Sequence, residues 1–192
     1  MSDKTRDKIL TVATKLFGRY GFNKTSMDEI AKIARKAKGS LYYHFHSKED
    51  LFTEVVKREM SNLKEQLIVI INNEKLSATE KLKEYIITRM NTIEYAVNYN
   101  ETVRADFFEH YDFIDELREN IDHWEKNSIK QIIEQGIAED VFKNPSNFDV
   151  ALETVIMLLK GMELTYFLKD NTHKVNPPIE KVAEILIYGV RK

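Results

Sequence analysis

The stretch Thr25-Ser26-Met27-Asp28-Glu29-Ile30-Ala31-Lys32-Ile33-Ala34-Arg35-Lys36-Ala37-Lys38-Gly39-Ser40-Leu41-Tyr42-Tyr43-His44-Phe45 decides the fold. Thr25 and Ser26 offer capping hydroxyls, with Asp28 and Glu29 three residues after each, so a helix is expected to start there. Met27, Ile30, Ala31 and Ala34 recur at three- and four-residue steps and give that helix one buried stripe. A second short helix is expected from Lys38 to Phe45. Its Leu41 and Phe45, four apart, face a small core shared with Leu16, Phe17 and Ile30. A capped helix, a short connection and a second short helix are the parts of a helix-turn-helix.

The same periodicity extends in both directions. Upstream, Ile9, Val12, Ala13, Leu16, Phe17 and Tyr20 share one face of a helix that Gly21 ends. Downstream, Ser47 and Asp50 open a fourth helix, from about 47 to 71, and Ser77-Ala78-Thr79-Glu80 is a capping box for a fifth. Asn98-Tyr99-Asn100 interrupts the pattern, so a shorter helix is expected from Glu101 to His110, then a long one from Ile114 to Glu139. After the turn Lys143-Asn144-Pro145-Ser146-Asn147, two more helices are expected at 148–168 and 178–188. No strand pattern competes, and the expected class is all-α with about nine helices.

The chain has 192 residues, 43% of them hydrophobic, which is ample for a core. No uncharged apolar stretch approaches the roughly 20 residues that span a bilayer, so no membrane partner is expected. The polar start reads as no signal peptide, and the absence of cysteine suits a reducing compartment. A cytoplasmic location is the expectation.

The formal charge of −2 disfavours a nucleic-acid partner until it is resolved by position. Residues 1–58 hold 13 Lys or Arg and 7 Asp or Glu, a net +6, while the remainder holds 16 basic and 24 acidic residues, a net −8. A basic module on an acidic helical body is the layout of a DNA reader with a separate second function. Lys38 can reach a guanine edge or a phosphate, and Gly39 lets the helix start approach closely. The Tyr hydroxyls and Lys48 suit phosphate oxygens. The candidate DNA-binding residues are Thr25, Ser26, Arg35, Lys36, Lys38, Gly39, Ser40, Tyr42, Tyr43, His44 and Lys48.

At these residues the sequence resembles the DNA-binding domain of TetR-type transcriptional regulators. Phe17-Gly18-Arg19-Tyr20-Gly21-Phe22 matches the turn that ends their first helix, and Thr25 to Ala31 matches their capped second helix. Lys38 to Phe45, with the adjoining His46-Ser47-Lys48-Glu49-Asp50-Leu51, matches their recognition helix and the start of their fourth helix almost residue for residue. One block departs. Where the family has Ala-Gly-Val-Ser, this chain has Ala34-Arg35-Lys36-Ala37, losing a turn glycine and a capping serine while adding two cations.

The resemblance implies a DNA-binding domain over residues 3–50 and a helical effector-binding and dimerisation domain over 51–192, joined by the fourth helix. It implies a homodimeric repressor of a palindromic double-stranded operator, released by a small, mostly apolar ligand. The alternative is a regulator whose helical body docks a protein partner. The implied effector pocket is drawn from Leu63, Leu67, Tyr85, Ile86, Arg89, Met90, Ile93, Phe107, Phe108, Tyr111 and Trp124. The implied dimer interface is Leu152, Val155, Ile156, Leu159, Met162, Tyr166, Ile179, Val182 and Leu186.

Asp106 with His110, and Glu119 with His123, are four apart as metal ligands can be, but ordinary helix ion pairs explain them more simply. No nucleophile triad or glycine-rich phosphate loop is present. No metal, no cofactor and no enzymatic activity are expected.

Overall fold

The computed structural model describes residues 2–108, 115–167 and 178–192, with side chains for 4–102, 115–163 and 178–192. Tyr111 and His110 fall outside the described residues, as do the side chains of Asp106, Phe107, Phe108 and Tyr166. The described residues form nine helices: α1 (Ser2–Tyr20), α2 (Met27–Ala34), α3 (Lys38–His44), α4 (Lys48–Ile71), α5 (Ala78–Glu94), α6 (Val97–Phe108), α7 (Asp115–Ala138), α8 (Phe148–Phe167) and α9 (Ile179–Val190). The only strand-like feature among them is an isolated antiparallel bridge between Phe142 and Arg191.

The chain packs as two compact units. One comprises Met1–Ser61 with Ala96–Leu117, and the other Asn62–Tyr95 with Arg118–Lys192. In the first, the apolar stripes of α1, α2 and α3 meet as their spacing requires: Ile9, Ala13, Leu16 and Phe17 are buried with Ile30, Ala34, Leu41 and Phe45. Phe52 from α4 closes this core, its ring edge-on to Phe17 at 5.1 Å and 5.0 Å from Phe22. Gly21 takes a left-handed φ of 80° and donates its N–H to Phe17 O, which stops α1. Ser47 accepts the Asp50 N–H while Asp50 accepts from His46 N, which fixes the start of α4.

The start of α6 differs from the expectation. The break falls at Tyr95-Ala96, and the helix begins at Val97, ahead of the expected Glu101. The reason is tertiary: Glu59 on α4 accepts the N–H groups of Asn98 and Tyr99 at 3.4 and 2.8 Å and the Asn98 side-chain amide at 2.6 Å. A carboxylate at a helix N-terminus satisfies free donors and suits the helix dipole. Burial holds the Glu59 carboxyl above its ordinary value, and the three amide donors offset only part of that rise. Asn98 also donates to Thr14 O, so α6 is fastened to α1 as well as α4.

In the second unit the Ser77–Glu80 capping box forms as expected and opens α5, whose buried face carries Leu82, Tyr85, Ile86, Arg89, Met90 and Ile93. Gly136 on α7 lets the fully buried Phe142 ring lie against the helix, because a Cβ there would overlap that ring. Two backbone hydrogen bonds, Lys143 N to Val190 O and Lys192 N to Val141 O, hold the end of α9 beside this corner.

The candidate interface and pocket residues of this unit fall at differing depths. For the dimer interface, Leu152, Ile156 and Leu159 are buried in the unit's own core, while Val155, Met162, Ile179, Val182 and Leu186 are half-buried. Among the described side chains of these helices, the large apolar ones left exposed are Val150, Met157 and Leu158 on α8 and Ile185 and Tyr188 on α9, Ile185 at 71% and Tyr188 at 81% exposure. Because α8 is apolar around more than half its circumference, spacing alone could not say which stripe faces inward.

For the effector pocket, Leu63, Leu67, Tyr85, Ile86, Arg89, Met90 and Ile93 are buried, and Trp124 is half-buried beneath the Lys64 ammonium, 5.1 Å from the ring centre. A cavity of about 510 Å³ opens instead where α5, α8 and α9 approach one another, lined by groups such as Ile133, Phe148, Leu158 and Ile185. Of the eight candidates with described side chains only Ile86 lines it, whereas Leu152, Val155 and Leu186 of the interface set do.

Candidate nucleic-acid interface

The surface built by α2 and α3 begins with its caps. Ser26 is the N-cap of α2 and accepts the Glu29 N–H at 3.2 Å, with Asp28 and Glu29 in the first turn. Thr25 borders this surface but is buried, and its hydroxyl donates to Gly21 O at 2.8 Å, with Leu16 O at 3.4 Å. The expected DNA contact at Thr25 is therefore withdrawn, because its polar atom is committed to closing the α1–α2 turn.

Arg35 shows how the chain turns without the family's glycine. It caps α2 in the left-handed region, at φ 53° and ψ 49°, donating its N–H to Lys32 O at 3.1 Å, while Lys36 N donates to Ala31 O at 3.0 Å. The turn geometry is kept and the side chain bears the steric cost, about 1 kcal/mol or more. Arg35→Gly should raise stability in urea unfolding by about 1 kcal/mol and at the same time weaken DNA binding through the lost cation. A drop in stability would contradict the strained-turn account.

α3 starts without a side-chain cap, since Ala37 cannot accept the free amides, so donors at its N-terminus remain open to an anion. Leu41 and Phe45 anchor it inward, both essentially fully buried. What remains outside is Lys38, Gly39, Tyr42 and Tyr43, with Ser40 and His44 half-buried. Tyr43 stands out at 78% exposure, its ring edge-on to His44 at 5.1 Å. A Cβ at Gly39 would meet nothing within 4 Å, so packing within the chain does not demand glycine there.

The cations divide by how they are held. Arg35 is exposed, whereas the Lys36 ammonium donates to the Thr5 hydroxyl of α1 at 3.0 Å. Lys48 donates to Phe22 O at 3.1 Å and lies 4.2 Å from the Phe22 ring centre, bracing the end of the α1–α2 turn against the start of α4. Lys38 is paired with Asp28 and sits 5.9 Å from the Tyr42 ring centre. Arg6 pairs with Glu54 and covers the Phe45 ring from 5.1 Å, packing α1 onto the end of α3.

Lys38, Tyr42 and Lys48 line one concave polar notch, together with Ser26, the edges of the buried Thr25 and Met27, and three residues outside the DNA-binding candidates, Asn23, Lys24 and Asp28. These three were legible only in part. The buried stripe of α2 leaves Asp28 outside, but the folding of the Asn23-Lys24 turn against α3 is a tertiary fact. The notch can accept phosphate oxygens through its lysines and hydroxyls, and the exposed face of α3 can offer donors to base edges.

In comparison with known proteins, the family of bacterial regulatory proteins named for tetR matches residues 9–55, the span from α1 into α4. The HTH-type transcriptional regulator QacR of Staphylococcus aureus is 40% identical over 106 residues, half of this chain and 56% of that protein, so the chain spans about half the length of that relative. The HTH-type regulator YhgD of Bacillus subtilis is 26% identical over 94% of this chain and 91% of its own. A transcriptional regulator from Cytophaga hutchinsonii superposes with a TM-score of 0.76 at 27% identity, covering 96% of this chain and 97% of that one. These relatives carry regulatory rather than enzymatic names. The helix-turn-helix of α2 and α3 lies inside the matched span, so residues 9–55 form a DNA-binding module of the tetR family of bacterial regulatory proteins.

Proposed function

We propose that the protein is a homodimeric repressor that reads a palindromic operator through α3 and is released by a small, mostly apolar effector. The observation that carries this reading is the exposed face of α3, a lysine, a glycine and two tyrosines on a module of net charge +6, held by a buried Leu41 and Phe45. In it, Ser26, Arg35, Lys36, Lys38, Gly39, Ser40, Tyr42, Tyr43, His44 and Lys48 contact DNA. Residues 3–50 serve as the DNA-binding domain and 51–192 as the effector and dimerisation domain, with 51–61 and 96–117 of the latter grouped in the same compact unit as the DNA-binding helices, in the cytoplasm.

Dimerisation is supported by the apolar face that Met157, Leu158, Ile185 and Tyr188 present on α8 and α9, beside the open cavity. Reading successive major grooves of a palindrome requires a two-fold dimer whose two copies of α3 lie about 34–36 Å apart, one turn of B-DNA. Release follows if the effector favours a state in which the two copies of α3 are wrongly spaced. A small effector also raises the melting temperature as RT ln(1 + [L]/Kd) requires, whereas a protein effector leaves small-molecule screens flat.

The test is selection of bound duplexes from a random pool, followed by a salt titration on the winner. With 6–10 phosphate contacts across the dimer, affinity should fall by about 10³–10⁵ between 50 and 200 mM salt. No enriched sequence, or a flat salt dependence, would contradict the proposal.

A further inference from the structure

One acid, Asp28, lines the notch among its lysines. The Asp28 carboxylate lies across the Lys38 ammonium, Oδ1 at 2.8 Å and Oδ2 at 3.0 Å from Nζ, and ties the first turn of α2 to the first residue of α3. Both side chains remain largely exposed, 61% for Lys38 and 66% for Asp28, so the pair is presented outward and does not hold the core together. Its two ends are electrostatically unlike. An acid in the first turn of α2 is favoured by that helix's dipole, but a lysine at the start of α3 is opposed by its own. A lone Lys38 ammonium would bind any phosphate; Asp28 occupies it first.

We infer that Asp28 is a specificity-determining residue: it reserves Lys38 for a neutral acceptor on a base edge and discourages a backbone phosphate from taking it. The inference rests on the reading of α3 as the recognition helix. A phosphate oxygen at Lys38 would bring a second anion beside the Asp28 carboxylate, and like charges so placed repel. Guanine O6 and N7 carry no net charge, so they can share the ammonium with Asp28. The ammonium has three N–H donors, enough to serve the carboxylate and a base together. The hydrogen bond and the charge of Asp28 hold Lys38 above its ordinary lysine value, so it stays cationic throughout the neutral range. Contacts to unrelated DNA are made overwhelmingly to phosphates. Asp28 therefore weakens binding to unrelated DNA more than binding to the operator.

The experiment uses the full chain with the exposed, near-isosteric Asp28→Asn substitution. Affinities are measured on two duplexes of equal length, the one selected by the wild-type protein and an unrelated one. Asp28→Asn should tighten binding to the unrelated duplex about 3–10-fold, shift the selected duplex by less than about twofold, and steepen the unrelated-duplex salt slope by about 0.9. In a Lys38→Met background the same substitution should leave the ratio of the two affinities unchanged. Equal tightening on both duplexes would overturn the inference by showing a general charge effect, as would a ratio change that persists without Lys38. A wild-type protein that bound both duplexes alike would overturn the recognition-helix reading itself, and this inference with it.

Discussion

Arg89→Ala is expected to destabilise the second unit by about 3–5 kcal/mol, the cost of breaking a buried charged network by removing one partner. Arg89 is 1% exposed and grips Glu125 with two hydrogen bonds, Nε to Oε1 at 2.5 Å and Nη2 to Oε2 at 2.9 Å, while Nη2 also reaches Glu163. Both glutamates are as deeply buried as the arginine. Tyr85 adds its hydroxyl to Glu125 Oε1 at 3.3 Å, and burial, followed by the Glu125 charge, pushes its phenol well above the ordinary value, so it remains a neutral donor. Truncating Arg89 leaves two carboxylates in a dry core without their guanidinium.

The network spans α5, α7 and α8, so its loss loosens three helices at once. Urea unfolding followed by the fluorescence of Trp124, the only tryptophan in the chain, reports the change. Replacing Arg89, Glu125 and Glu163 together by apolar residues of similar volume should recover most of the loss. A loss below about 1 kcal/mol for Arg89→Ala, the size expected of a surface ion pair, would contradict the buried-network account.

The second large effect concerns assembly. Leu158→Glu with Ile185→Glu places two charges on the exposed apolar face of α8 and α9, outside the unit's own core, so the monomer should keep its helical content. Sedimentation should then show a monomer, and operator affinity should fall by about 10²–10⁴, the range lost when two linked binding events become independent. A dimer that survives both charges would place the interface elsewhere on the chain.

The DNA-binding module was legible because each of its short helices has one apolar stripe, so spacing alone orients it. Met27, Ile30, Ala31 and Ala34 could only face inward, and Leu41 with Phe45 then set which side of α3 is presented. The Ala34-Arg35-Lys36-Ala37 block departs from the Ala-Gly-Val-Ser pattern that the sequence otherwise resembles and still makes the turn, because a left-handed arginine is costly rather than forbidden.

Other features depended on partners far away in sequence. The start of α6 is determined by Glu59, 38 residues before Val97, whose carboxylate no local pattern connects to it. Thr25 and Ser26 look alike as caps, and only the position of Gly21 O separates the inward hydroxyl from the outward one. In α8 the apolar residues wrap too far around the helix for periodicity to choose an inner face, and the buried Glu163 contributes no apolar signal at its end of that face. Lys38 was visible as a cation, but its engagement by Asp28 was not, since the two lie on different helices.

Whether the outward face of α3 is the DNA-contacting surface is tested most directly by a binding titration of Tyr42→Ala/Tyr43→Ala on the operator selected by the wild-type protein. Both rings are exposed, so the variant should fold as the parent does while affinity falls by at least about tenfold, as expected for two lost positioning contacts. Wild-type affinity in the doubly substituted protein would show that DNA is bound by some other surface.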